Sequence, residues 1–161
     1  MAALREGGCS PVVVVLGAGA EQVPEPPGAA VVVNPEWAQG MGSSLRRGLA
    51  ALEQTQAAAC AVLLVDTPGI GAAAVRRVVA AAPAGGVAVA TYGGARGHPV
   101  VIARRHWGQV RQLAEGDVGA RPFLAAHPEL VRLVPCEDVA APADLDTPEQ
   151  VDAYVRWRHG Q

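Results

Sequence analysis

Lysine is absent from this chain. All 13 basic residues are arginine, so no lysine can serve as a phosphate clamp. A coding bias toward Ala, Val, Gly and Arg accounts for most of that skew. Cysteine is scarce. Cys9, Cys60 and Cys136 lie far apart and form no CxxC pair, which argues against a zinc site or a disulfide scaffold and favours a reduced, cytoplasmic setting. There is no apolar run of 18 residues, and the N-terminus lacks a basic stretch followed by an apolar one. Neither a membrane span nor a signal peptide is read. Charge is sparse too: 17% of residues are charged and the net charge is −2. A general nucleic-acid or membrane-surface binder would carry a basic excess. Internal repeats, charge runs and long linkers are also missing.

What remains is the composition of a globular enzyme or binding module. The 161 residues suit one domain, 1–161, large enough for a substantial core. Val-rich, non-alternating runs recur at 11–16, 29–33, 61–65 and 87–91, the pattern of strands buried on both faces in a parallel sheet. Met41, Leu45, Leu49 and Leu52 share one helical face, and Ile70, Val75, Val78 and Val79 do so less cleanly. Further elements are a strand at 99–103, helices at 105–114 and 119–126, a strand at 130–135 and a closing helix at 147–158. Strands alternating with helices predict an α/β layered fold. Residues 1–8 read as the tail of a helix closed by Gly7 and Gly8.

Chemistry concentrates at the strand ends. Residues 34–48 place a glycine turn and two hydroxyls at the mouth of an amphipathic helix directly after a strand. Unpaired N–H groups at such a helix start suit an anionic or polar ligand, here a nucleotide. Asp66 closes the predicted 61–65 strand, at the edge where ligands bind open parallel sheets. It either holds Mg²⁺ or caps the next helix. Asp144 and Asp146 face the same way on an extended segment and offer a second carboxylate, although Asp146 also suits a helix cap. His98 lies in a Gly-rich stretch that either approaches a ligand or makes a hairpin turn. Asp117 and Arg121 flank a helix start, as a site or as a capped turn. Gly17-Ala18-Gly19-Ala20 is half a dinucleotide fingerprint without its third glycine.

Together these segments resemble the MobA-like nucleotidyltransferases, and within them the molybdenum cofactor cytidylyltransferase branch. The likeness rests on Asn34-Pro35-x-Trp37-x-x-Gly40-Met41-Gly42-Ser43-Ser44-Leu45, Asp66-x-Pro68, Gly97-His98-Pro99, Gly116-Asp117-x-Gly119-Ala120-Arg121 and Asp144-Leu145-Asp146-Thr147-Pro148. It implies a three-layer, Rossmann-like, mostly parallel sheet. It also implies Mg²⁺-dependent transfer of CMP or GMP from CTP or GTP to a molybdopterin-type cofactor phosphate, with release of pyrophosphate. By that likeness Asp66 holds Mg²⁺, and Gly42, Ser43 and Ser44 border the nucleotide. His98, Asp117 and Arg121 face the acceptor, and Asp144 or Asp146 completes the catalytic metal or acceptor region. The family opens with a further strand and a Gly-rich, Lys-bearing loop, and Met1 matches a point about one βα unit inside that pattern. Loss of the first strand predicts either an unfilled slot between 11–16 and 61–65 or their direct pairing, with impaired turnover. The alternative is a non-catalytic relative that binds the cofactor or docks on a molybdoenzyme during its maturation.

Overall fold

A computed structural model describes residues 1–143, 145 and 147–159. In chain order the elements are α1 (Ala2–Glu6), β1 (Val13–Leu16), β2 (Ala30–Val33), α2 (Met41–Glu53), β3 (Ala59–Val62), α3 (Ala72–Ala81), β4 (Val87–Tyr92), β5 (Ala95–Ala103), α4 (Trp107–Leu113), α5 (Arg121–Ala126), β6 (Val131–Pro135) and α6 (Pro148–His159).

The strands form two sheets. β1 and β2 pair in parallel, and the larger sheet has the order β3-β5-β4-β6. There β4 and β6 are parallel, whereas β5 runs against both β3 and β4. Three of its four strands therefore point one way. The reversal at β5 follows from a two-residue hairpin. Tyr92 pairs with Ala95, and Gly93 and Gly94 both hold positive φ, at 56° and 84°, which residues with a Cβ rarely adopt. The Gly-rich stretch before His98 is thus a hairpin turn.

Alternate residues of β4 sort the helices into layers. Val87 and Val89 face Leu49, Trp107, Val110 and Phe123, which come from α2, α4 and α5. Ala88 and Ala90 face Ala74 and Val78 of α3. Since successive strand side chains point to opposite faces, α2, α4 and α5 cover one face and α3 the other. The three-layer α/β architecture is present.

No ladder joins β1 to β3 among the described residues. Between them lies a cleft of about 1490 Å³ lined by 8–16 and 57–65. Of the two expected outcomes, the open slot is the one observed. It explains why β1 is only half-buried while 87–91 of β4 is fully buried.

Strand β3 also ends earlier than expected, at Val62 instead of Val65. Its last partner is Val100, and continued pairing would set Leu63 against Pro99, which has no N–H to donate. The same proline coincides with the break in the β4–β5 register after Val89. Asp66 consequently sits in a turn past the strand end.

Candidate functional site

Helix α2 links β2 to β3. Its amino end follows the carboxyl end of β2. Its carboxyl end is held by Arg104, whose guanidinium donates to the carbonyls of Glu53 (2.6 Å), Thr55 (2.6 Å) and Ala57 (3.0 Å). Arg104 directly follows β5, and Ala103 at the end of β5 pairs with Ala59 at the start of β3. Cationic donors suit the negative end of a helix. The helix thus runs back from the end of β2 to the beginning of β3. Ser44 at the end of the Asn34–Ser44 turn, and Val65 and Thr67 on either side of Asp66, line the same cleft.

Asn34 organises that turn. It is 2% exposed, with Ser43 at 3%. Its amide donates to Ser43 Oγ (2.8 Å) and Ser44 Oγ (3.1 Å), and its carbonyl accepts from Glu36 N–H (3.0 Å). Ser43 Oγ lies 2.8 Å from the Gly40 carbonyl and 3.0 Å from that of Glu36, so its hydroxyl is spent within the turn. Ser44 is half-buried and lines the cleft together with Met41 and His98. The sequence pattern includes Asn34 without giving it a role; its signal is an amide placed directly after a Val-rich strand. Asn34→Ala removes both donors from the serines and is expected to cost about 1–3 kcal/mol, readable as a lowered urea midpoint with unchanged slope.

The start of α2 differs from the expected open anion site. Met41 N–H donates to Asp117 Oδ1 (3.1 Å), Gly42 N–H to the Gly116 carbonyl (2.7 Å) and Ser43 N–H to that of Gly40 (3.1 Å). These N–H groups are consumed, because the 116–117 turn folds over the helix mouth. Asp117 therefore acts as a cap supplied from 76 residues away, and makes no ion pair with the exposed Arg121 that opens α5. Gly42 is required for that approach. A Cβ there would lie 2.7 Å from the Ala114 carbonyl oxygen. Asp117→Ala should cost about 1 kcal/mol, checked by thermal melting and by faster hydrogen exchange at Met41.

Asp66 supplies a carboxylate. Helix α3 begins after Gly71, without a side-chain cap, so Asp66 does not cap it. Its Oδ1 is buried and has no hydrogen-bond partner among the described residues, while its carbonyl accepts from Leu145 N–H (2.8 Å). An unpartnered buried carboxylate oxygen is costly, and a cation would satisfy it. Among the described residues no three His, Cys, Asp or Glu side chains gather into a closed cage. Mg²⁺ needs no cage: it takes one or two carboxylates and completes its shell with phosphate oxygens and water. The donor set fits such an ion.

Asp144 and Asp146 lie outside the described residues. The cap of α6 falls to Thr147: its Oγ1 accepts from Gln150 N–H (3.3 Å), while Gln150 Oε1 accepts from Thr147 N–H (3.0 Å), a reciprocal capping box. His98 sits on β5 where it borders the cleft. Its carbonyl accepts from Tyr92 Oη at 2.8 Å, and burial pushes the Tyr92 phenol up to about 12. The three cysteines are free thiols, and burial pushes Cys60 up to about 12. Among the described residues no helix is long and apolar enough to cross a membrane.

The sequence pattern of the MobA-like NTP transferase domain matches residues 1–131. Nicotine blue oxidoreductase of Paenarthrobacter nicotinovorans is 39% identical over 157 residues, covering 90% of this chain and 75% of that protein. Among solved structures, Rv0371c of Mycobacterium tuberculosis H37Rv aligns with a TM-score of 0.76 at 26% identity, covering 96% of this chain and 80% of that one. Its complex with manganese aligns at 0.74, with 26% identity and 96% and 82% coverage. The 2-C-methyl-D-erythritol 4-phosphate cytidylyltransferase of Thermus thermophilus shares the fold, with a TM-score of 0.66 at 23% identity over 98% of this chain and 86% of that one.

Proposed function

Since this chain belongs to the MobA-like NTP transferase family, we propose that it transfers CMP or GMP from CTP or GTP to the phosphate of a molybdopterin-type cofactor. An acceptor phosphate oxygen attacks the α-phosphorus and pyrophosphate leaves. The observation that supports this reading is the Asp66 Oδ1, unpartnered among the described residues, between two residues that line the same cleft as Ser44. Asp66 would hold Mg²⁺, with Asp146 or Asp144 as a second carboxylate. Mg²⁺ supplies charge neutralisation on the triphosphate and the departing pyrophosphate.

The chain's own groups position the substrates. Ser44 borders the nucleotide, and Gly42 and Ser43 keep the turn behind it in shape. His98 faces the acceptor from β5. Asp117 serves it indirectly, by holding the start of α2, and Arg121 offers a guanidinium to an acceptor phosphate. Holding both phosphates in line accounts for most of the rate in such a reaction.

The test is to incubate the purified chain with molybdopterin, Mg²⁺ or Mn²⁺, and CTP, GTP or ATP in turn. Pyrophosphate and a nucleotidylated cofactor, followed by mass spectrometry, are expected with CTP or GTP. Absence of product with every nucleotide would overturn the transferase reading. Binding of nucleotide and cofactor without turnover would instead favour the non-catalytic maturation module.

The 39% identical relative named as a nicotine blue oxidoreductase motivates a second reading, redox chemistry on a small molecule admitted by the apolar cleft. It predicts a change in nicotine blue absorbance when a reduced nicotinamide is supplied as electron donor, without CTP or GTP. An unchanged spectrum would dismiss it.

A further inference from the structure

We propose that Tyr154, on α6, is a positioning residue for the metal site. Together with Ala141 and Leu145 it grips the backbone of the 66–69 turn and so sets the direction in which Asp66 presents its carboxylate. The inference rests on the transferase reading at one point, the assignment of Asp66 to the metal.

No regular element fixes this turn, which lies past the end of β3 at Val62 and before the start of α3 at Ala72. Its carbonyls show what does. Only that of Thr67 is satisfied close by, accepting from Ile70 N–H (3.1 Å). The others accept from the C-terminal part of the chain. The Asp66 carbonyl takes Leu145 N–H (2.8 Å), and the Gly69 carbonyl takes Ala141 N–H (3.3 Å). The Pro68 carbonyl takes the hydroxyl of Tyr154, with Oη at 3.3 Å. Three of the four peptide groups between Asp66 and Ile70 are thus oriented from 141, 145 and 154. With the peptide planes held, the direction of the Asp66 side chain is held too. A metal-binding carboxylate needs that support, since such groups work only when kept within about 0.5 Å of their productive place.

Two features of the sequence serve this grip. A Cβ at Gly69 would run into the Ala141 carbonyl oxygen, so glycine is required for the two segments to lie side by side. Burial singles out Tyr154. Among the described side chains of α6, at 149–156, every other one is exposed, Val151 and Val155 included. Tyr154 alone in that set is half-buried. A helix that leaves two valines in water and withdraws one phenol meets the body of the protein through that phenol. Its hydroxyl ends on the turn that carries Asp66.

The test measures binding of Mn²⁺ alone, without nucleotide, by loss of the free-ion signal in electron paramagnetic resonance. The unaltered chain is compared with Tyr154→Phe, which removes the hydroxyl and keeps the ring, and with Gly69→Ala, which pushes the two segments apart. Both should weaken Mn²⁺ binding by about threefold to tenfold, the range that one hydrogen bond commands. In an Asp66→Asn background Tyr154→Phe should change nothing further, because Tyr154 acts through that carboxylate. Amide hydrogen exchange at Ala141 and Leu145 should quicken in both variants in the absence of metal. Unaltered Mn²⁺ affinity in Tyr154→Phe would overturn the proposal. So would unchanged exchange at both amides, or an equal loss of affinity with and without the Asp66 carboxylate. These failures leave the transferase reading intact. Absence of Mn²⁺ binding by the unaltered chain is a different result: it would remove Asp66 from the metal and overturn the proposal with it.

Discussion

Asp66→Asn lowers metal-dependent pyrophosphate release by at least about a hundredfold, the expected size for a principal electrostatic contact to the reacting phosphates, while thermal stability stays level. The two readouts diverge for one reason. Asp66 Oδ1 is buried and has no hydrogen-bond partner among the described residues, so an amide of the same shape breaks no hydrogen bond made by that oxygen. On the proposed mechanism the same charge binds the cation when nucleotide is present. Melting curves without metal and initial rates across a metal titration check both halves. A rate loss accompanied by an equal fall in stability would make Asp66 a structural residue and remove it from the site.

The largest loss of stability is expected at Phe123. It is fully buried, and its ring lies 5.4 Å from that of His106 and 4.9 Å from that of His127, centroid to centroid. It also belongs to the cluster that holds Leu49 of α2 and Trp107 of α4 against the sheet. Phe123→Ala opens a cavity and should cost about 3–5 kcal/mol, a large share of the roughly 5–15 kcal/mol that a domain has in total. Urea unfolding measures it. The effect should reach the site, since α5 follows the turn whose Gly116 and Asp117 cap α2. Hydrogen exchange at Met41 and Gly42 should therefore quicken in the same variant. A cost below about 1 kcal/mol would mean that this layer relaxes around the gap, as only loosely packed cores do.

Sequence periodicity reveals the layers well because burial on two faces leaves a mark. Val87 to Thr91 and the face of Leu45, Leu49 and Leu52 need no partner to be recognised. The ends of elements are harder. β3 stops at Val62 because of Pro99 on another strand, a constraint absent from local sequence. The start of α2 looks open in the sequence because its cap, Asp117, is remote along the chain. Ser43 looks available because a hydroxyl beside a glycine turn suggests a ligand, whereas Asn34 consumes it. Asp66 is legible by position, whereas its unpartnered oxygen is a product of the fold around it. The slot between β1 and β3 follows from the resemblance and not from any pattern within 11–16 or 61–65.

The central claim is that Asp66 and the Asn34–Ser44 turn border a single metal–nucleotide site. Localised cleavage by bound iron tests it directly: Fe²⁺ replaces Mg²⁺ in the presence of CTP or GTP, ascorbate and peroxide are added, and the backbone cuts are mapped by mass spectrometry. The account predicts paired cuts next to Asp66 and within 40–44, dependent on nucleotide and lost in Asp66→Asn. Cuts confined to one of the two segments, or unchanged by that substitution, would contradict it.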